Sequence, residues 1–474
     1  MRLAKRLKIK GDPLVWLLLV LLLAAVEVPA QYIDGGNQHS VILTKEKEVW
    51  TVGMNEYGEL GDSSFTRRIY PVRVKGLPPI GFVSRGYKHT LAVDEKGRVW
   101  TWGWNNYGQL GAELPLDYNY PQLVEGVKNA KAVEGGHWHS LALLEDGRVM
   151  SWGHNFYGEL GNGNREHSGK PIFVKNLANI TKIASVGYFS LALDKNGNVW
   201  SWGDNTYGQL GDGTRNLKTE PIKIKTLSNI IDIAVGWHFC IALRKDGSIW
   251  VWGDNPYGQL GTGNYEDLHI PVKLKNIPKA KKVACGSWHT MIIDEHEKVW
   301  CWGRNENGML GNNSEKNSTL PVQLDLENIK DIGAGCFQSL AIDEEDNLFV
   351  WGENWNGQLG IGNYERQLTP IKSLLNFQNK FEMSKALLEK AHPEALLALG
   401  YPLNDSSAIK EAIAKKDVST IDDINAIKPA VLKESEIYVF IKHNKKFLLS
   451  FLLNIFLIWK FYHLKKRIEA TELV

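Results

Sequence analysis

Cysteine is scarce in this chain of 474 residues, and the four present exclude more than they suggest. Cys240, Cys285, Cys301 and Cys336 form no Cys-x-x-Cys pair, so neither a structural zinc site nor a disulfide framework is expected. Each stands where other copies of an internal repeat carry Ser, Ala, Val or similar residues, which reads as packing, with an incidental disulfide second. Charge of one sign is also lacking. Lys+Arg number 55 and Asp+Glu 53, a net charge of +2, so there is no basic excess for broad capture of nucleic acid. Catalytic signatures are missing: no Gly-x-Ser-x-Gly elbow, no P-loop, no His-Glu-x-x-His, no carboxylate pair at a repeated position. No enzyme, cofactor or metal is therefore expected. Sustained helical periodicity is absent between residues 33 and 375.

What the chain has instead is glycine and tryptophan at a fixed interval. The glycines that close a Trp-x-Trp-Gly signature fall at Gly53, Gly103, Gly153, Gly203, Gly253, Gly303 and Gly352. Each opens a phrase such as Asn105-Asn-Tyr-Gly-Gln-Leu-Gly111. A period near 50 residues implies one supersecondary unit per repeat, stacked so that neighbours bury what each alone exposes. Within a unit, strand-like stretches alternate with polar turns such as Glu145-Asp-Gly147, and aromatic runs such as Val99-Trp-Thr-Trp102 alternate with period two. A Pro-led segment such as Pro71-Val-Arg-Val74 accompanies each. Four short strands per repeat is the grammar of a propeller blade. The prediction is an all-β, seven-bladed β-propeller over residues 31–375. Val52, Met150 and Phe349 replace a signature Trp but stay apolar, so packing is expected to survive. The Tyr of each Tyr-Gly phrase is expected to lie buried between blades with its hydroxyl bonded.

The recurring histidines His39, His89, His139 and His289 give way to Phe189, Phe239 and Gln338 in other units. A ring of metal ligands does not tolerate Phe, so neutral imidazoles bonding backbone groups are expected. Ring closure is expected through a shared blade. The first unit has no Pro-led segment before it, and residues 369–374 form a surplus one for the N-terminal hairpin to join.

The phrases Gly-x-x-His-Ser/Thr-Leu-Ala and Trp-Gly-x-Asn-x-Tyr-Gly-Gln-Leu-Gly resemble those of the regulator of chromosome condensation repeat family. The resemblance spans residues 33–375 and implies a seven-bladed propeller. Its best-known member is a nuclear guanine-nucleotide exchange factor for a small GTPase, which uses a hairpin wedge inserted in one blade. Here the loops match in length (Gly61 to Pro71, Gly211 to Pro221, Gly360 to Pro370), so exchange activity stands as an alternative only. A secreted enzyme-inhibitor propeller is another.

Positions that vary inside otherwise fixed loops point to function. Tyr87, Trp138, Trp237, Trp288 and Phe337 precede the histidine position; Trp104, His154, Phe156, Arg304 and Trp355 follow the Trp-Gly glycine. Corresponding loops open on one face, so these ten residues are expected either to form a partner-binding aromatic rim or to pack between blades.

Both ends differ from the repeats. Residues 1–10 carry five Lys/Arg, residues 14–26 are unbroken apolar, and Val28-Pro-Ala30 follows. This reads as a signal peptide or, alternatively, an uncleaved N-terminal anchor over residues 1–30. Residues 376–443 suggest a small helical stalk. Residues 444–474 hold an apolar segment over 447–462 that is expected to span a membrane or to lie at an interface. The expected protein is a monomeric, exported, membrane-anchored scaffold holding a protein partner on the extracytoplasmic side. Sequons at Asn179, Asn312, Asn317 and Asn404 would be glycan acceptors in a eukaryotic secretory protein.

Overall fold

Strand after strand, the chain builds seven separate antiparallel sheets, each of four consecutive strands. The computed structural model describes residues 32–373 except 37 and 113–115. The expected signal or anchor over 1–30, the helical stalk and the C-terminal apolar segment lie outside the described residues. In the first blade the strands are β1 (Tyr32–Gly35), β2 (His39–Leu43), β3 (Val49–Gly53) and β4 (Arg68–Arg73), paired in that order. The remaining blades occupy residues 80–123, 130–173, 180–223, 230–273, 280–323 and 329–372. First strands of consecutive blades touch one another right round the ring, β1 meeting the first strand of the seventh blade, Ile329–Ala334. They therefore line the axis, and each Pro-led strand is the outer edge, where the missing proline N–H costs no ladder bond.

The two signature tryptophans of a unit share one face of their strand but differ in depth. Trp102 is fully buried, whereas Trp100, two residues earlier and three strands from the axis, is half-buried. The Trp102 indole donates to the Glu59 carbonyl of the preceding blade at 2.8 Å, and the Thr90 hydroxyl reaches the same oxygen at 2.9 Å. The same pair of bonds recurs from Trp152 and Ser140 to Gln109, and from Trp302 and Thr290 to Gln259. The core accordingly lies between blades. Val41, Leu43 and Val49 of the first blade pack with Ile80, Val83 and Trp102 of the second. Burying one such indole removes roughly 150–250 Å² from water, an upper contribution of about 4–6 kcal/mol.

Two glycines show why the repeat keeps them. Gly103 adopts φ +105° with the Lys88 carbonyl 2.6 Å from where a Cβ would stand; Gly61, at φ +65°, meets the Trp102 indole at 2.7 Å. Any side chain there collides with the next strand or the inter-blade tryptophan.

Closure differs from the expected shared blade. Residues 367–372 pair with Leu348–Gly352 of their own blade, Val350 opposite Ile371, and β1 pairs with β2. The Pro-led strand thus finishes the unit before it, and the ring is sealed side to side. Gln338 donates to the carbonyls of Gly36 (3.3 Å) and His39 (3.2 Å), Cys336 N–H to Gly36 (3.0 Å), and Ser40 to Gln358 (2.8 Å). Val52 leaves this seam without an indole. Tyr70 is 3% exposed here and packs on Gly362, whereas its counterpart Tyr120 in the second blade is 48% exposed.

The histidines are neutral, as expected, but their partners are side chains. His89 Nε2 meets Ser140 Oγ of the next blade at 3.0 Å, and His289 meets Ser339 at 2.8 Å. Burial pushes the imidazoles of His39, His89, His139 and His289 down to about 3. The four cysteines are buried and free. Cys240 takes the hydroxyl's place, donating to the Gln209 carbonyl at 3.3 Å.

Candidate functional site: an aromatic face over the ring axis

In an antiparallel four-strand blade, the loop joining strands one and two and the loop joining strands three and four emerge at the same end. Here a backbone bond ties the two loops of each blade. Trp104 N–H donates to the Lys88 carbonyl, His154 N–H to Trp138 and Arg304 N–H to Trp288, each at 2.9 Å. The variable positions are thereby brought side by side. Around the axis, loops also bond from blade to blade: Tyr87 N–H to the Gly136 carbonyl, His137 N–H to Gly187, Trp237 N–H to Ser287.

Beneath the face, the conserved-looking Asn fixes each long loop. Asn205 Oδ1 accepts the Leu210 N–H at 2.9 Å while its amide donates to the carbonyls of Thr214 (3.0 Å) and Asn216 (3.1 Å). Gln109, Gln209 and Gln259, or Glu59 and Glu159, take the N–H of the Tyr two residues before. Asn312 and Asn317, two of the sequon residues, spend their side-chain oxygens on Asn305 in the same way.

On this platform nine of the ten predicted residues join one network of rings. Trp104 meets Trp138 at 5.5 Å between centroids, Trp138 meets His154 at 5.3 Å, and Tyr87 meets Trp237 at 5.6 Å. Trp237 stacks near Trp288 at 6.1 Å, and Phe156 reaches the cluster through Tyr157 at 5.1 Å. Arg304 lies over Tyr257 (4.8 Å) and Phe337 (5.7 Å), and Tyr257 meets Trp288. Trp355 stands apart, 58% exposed. His154 is buried rather than available, held by Glu159.

The repeat tyrosines correct the expectation of burial between blades. Tyr57, Tyr107, Tyr157 and Tyr257 are partly exposed and Tyr207 exposed, all on this face; Tyr107 stacks on Trp138 at 5.0 Å. Their neighbour glycine turns the chain outward, so the rings sit on the loops instead of under them. His137, beside Trp138 in the same variable loop, belongs with the ten residues. It sits at the centre, stacked on Tyr87 at 4.1 Å and edge-on to Trp237 at 4.5 Å. Burial, reinforced by His154 and His238, lowers it to about 3.

Below the face the first strands enclose a cavity of about 320 Å³ along the axis. Its charges are largely spent on each other: Arg85 with Asp34 at 3.2 Å, Lys182 with Asp232, Lys282 with Asp331. Glu134 is bonded by Ser84 at 3.2 Å, and burial raises it to about 8. No group of His, Cys, Asp and Glu suited to a metal occurs among the described residues.

Seven matches to the regulator of chromosome condensation (RCC1) repeat model tile the chain at 47–93, 96–143, 146–193, 196–243, 246–293, 296–342 and 345–385. The chain belongs to the RCC1 repeat family. Each match before the last runs from the third strand of one blade to the second strand of the next, so an RCC1 repeat is offset from a blade and crosses a junction. Human WBSCR16 is a similar solved structure, 26% identical with TM-score 0.62 over 69% of this chain and 94% of that one. Prp20p from Saccharomyces cerevisiae, described for its binding to Gsp1p and histones, is 25% identical with TM-score 0.61 over 68% and 84%. No curated protein sequence matches the chain.

Proposed function

We propose that this RCC1-family propeller is a non-enzymatic binding module that holds a protein partner on its aromatic face. The observation that carries the reading is the continuous ring network from Tyr57 to Trp288, partly exposed on loops whose backbones are already bonded. Rigid aromatic side chains lose little entropy on docking, which is the usual character of interface hot spots. A photo-crosslinking residue at Phe156 or Trp355 should capture a partner in cells, while the same residue at Ile231, exposed near the opposite end of its blade, should not. Equal capture at all three positions, or capture at Ile231 alone, overturns the reading. The basic and apolar N-terminus supports an exported, membrane-held location for the face, tested by fractionation.

A second reading is guanine-nucleotide exchange on a small GTPase, favoured by the similarity to Prp20p and its binding of Gsp1p. Against it, long loops joining strands three and four are alike in length across blades, with no inserted hairpin among the described residues. Accelerated release of labelled GDP from a small GTPase would establish this reading over the first.

A further inference from the structure

Acidity is concentrated where the aromatic rings are. In the segments that follow the Trp-Gly glycines, 54–59 through 353–358, seven carboxyl groups stand against one cation, Arg304. The loops between first and second strands add only Lys88. Five of those carboxyls, on Glu59, Glu159, Asp204, Asp254 and Glu353, are at most 5% exposed, directly under the rings. Glu59 and Asp254 form no ion pair among the described residues; the Glu59 carboxyl is bonded by backbone N–H groups, that of Tyr57 among them, and Asp254 faces the Asp267 carboxyl. Three cations at the face are already placed on ring surfaces, among them Arg165, 4.7 Å from the Phe156 centroid. Lys88 Nζ sits 4.2 Å from the Tyr57 centroid, and the Arg304 guanidinium 4.8 Å from that of Tyr257. Between them Trp104, Trp138, Trp237 and Trp288 form the middle of the network, with no cation of the described residues above them.

We infer that the partner presents a basic segment, arginine- or lysine-rich, whose cations lie on Trp104, Trp138, Trp237 and Trp288 above the buried carboxyls. This rests on the partner-binding reading and adds the chemistry of the partner. A ring quadrupole attracts a cation most strongly at tryptophan. A carboxylate held under the ring in a poorly hydrated layer adds attraction that bulk salt screens less than it screens an exposed pair. Burial raises Glu59 and Asp254 to about 7, so in the unoccupied protein these carboxyls are only partly ionised and an arriving cation favours their charged form. Cations already on Tyr57 and Tyr257 show that the face accommodates such contacts at its edges.

The test uses the full chain and an octa-arginine peptide, with octa-citrulline and octa-glutamate as controls, followed by calorimetry and tryptophan fluorescence. Octa-arginine should bind and change the fluorescence, and the controls should not. Trp104→Ala and Trp288→Ala should each weaken binding roughly three- to tenfold. Trp355→Lys, at an exposed position outside the ring network, should weaken it as well while leaving the thermal midpoint unchanged. Equal binding of octa-citrulline, or no binding of octa-arginine by the folded wild type, overturns the inference. If crosslinking from Phe156 still captures a partner in that case, partner binding stands and only the basic character of the partner falls.

Discussion

Replacing the inter-blade histidines should change how the propeller responds to acid more than how stable it is at neutral pH. His39, His89, His139 and His289 are buried and held neutral, with folded pKa values of about 3 against an ordinary 6.5. The folded state therefore binds fewer protons than the unfolded state between those values. Stability supplied by each histidine is complete above pH 6.5 and is lost as the pH falls toward 3, by about 1.4 kcal/mol per pH unit. Glu59, Glu134 and Asp254 act in the opposite sense, because burial raises them to about 7, 8 and 7. They hold protons in the folded state that the unfolded state releases, so their contribution is present at low pH and lost as the pH rises. The wild-type profile is a partial cancellation, and only a comparison isolates the histidines. The seventh unit supplies the substitute: Gln338 occupies the histidine position and bonds across the junction. In His89→Gln/His139→Gln/His289→Gln, three titrations disappear. Relative to wild type, the variant should gain about 3 kcal/mol between pH 6.5 and 5.5, because the unfolded histidines are already half protonated at pH 6.5. Denaturant midpoints of the full chain at pH 7.5, 6.5 and 5.5, followed by tryptophan fluorescence, measure this difference. Parallel midpoint-versus-pH curves for the two proteins would refute the assignment of neutral, proton-excluding histidines.

Four other outcomes are expected. Trp104→Ala, Trp138→Ala and Trp288→Ala should cost about 2 kcal/mol or more of partner affinity with small changes in melting, whereas Trp102→Ala and Trp202→Ala, fully buried, should lower the thermal midpoint sharply; uniform destabilisation by all five would make the face a core. Gln338→Ala removes two bonds across the closing seam and should cost about 1–3 kcal/mol in chemical denaturation. Asn205→Ala leaves the Leu210 N–H and two carbonyls of its loop without their partner, so hydrogen exchange at 206–216 should accelerate while strands of distant blades keep their protection. Truncation before residue 447 should release an exported protein from carbonate-washed membranes; retention would point to residues 14–26 as the anchor.

The blade was legible in the sequence because strand alternation and a fixed repeat leave few ways to bury Trp102 and its counterparts. Its boundary was not. A cyclic pattern can be cut anywhere, and the short 74–79 connection looks more like a hairpin than the long 54–67 loop does. Those six residues reach roughly 20 Å, enough to cross from the edge of one blade to the axis of the next. The long loop is the one that joins paired strands, with Trp50 opposite Arg73. Compensation for Val52 by Tyr70 was likewise hidden, since it links residues whose proximity exists only once the ring closes on Gly362. Of the site, the variable loop positions were found by contrast with fixed neighbours. The repeat tyrosines escaped for the same reason: a residue present in five of the seven units looks structural even when it faces solvent.

That last error says how this scaffold can carry a specific surface. Tyr107 and its counterparts are placed by groups that recur with them, the buried Asn, the Gln or Glu two residues after the Tyr, and a glycine of positive φ. None of these groups touches the outermost ring surface. The backbones of Trp104, Trp138, Trp237 and Trp288 are held by bonds that any residue can make, and their rings pack on one another at the surface. Changing them alters the face without loosening the junction, whose energy comes from buried indoles and hydroxyls on the preceding blade's carbonyls. The face and the junction therefore fail separately: a face variant should lose its partner while melting normally, and a junction variant should melt early while any surviving folded protein binds with unchanged affinity.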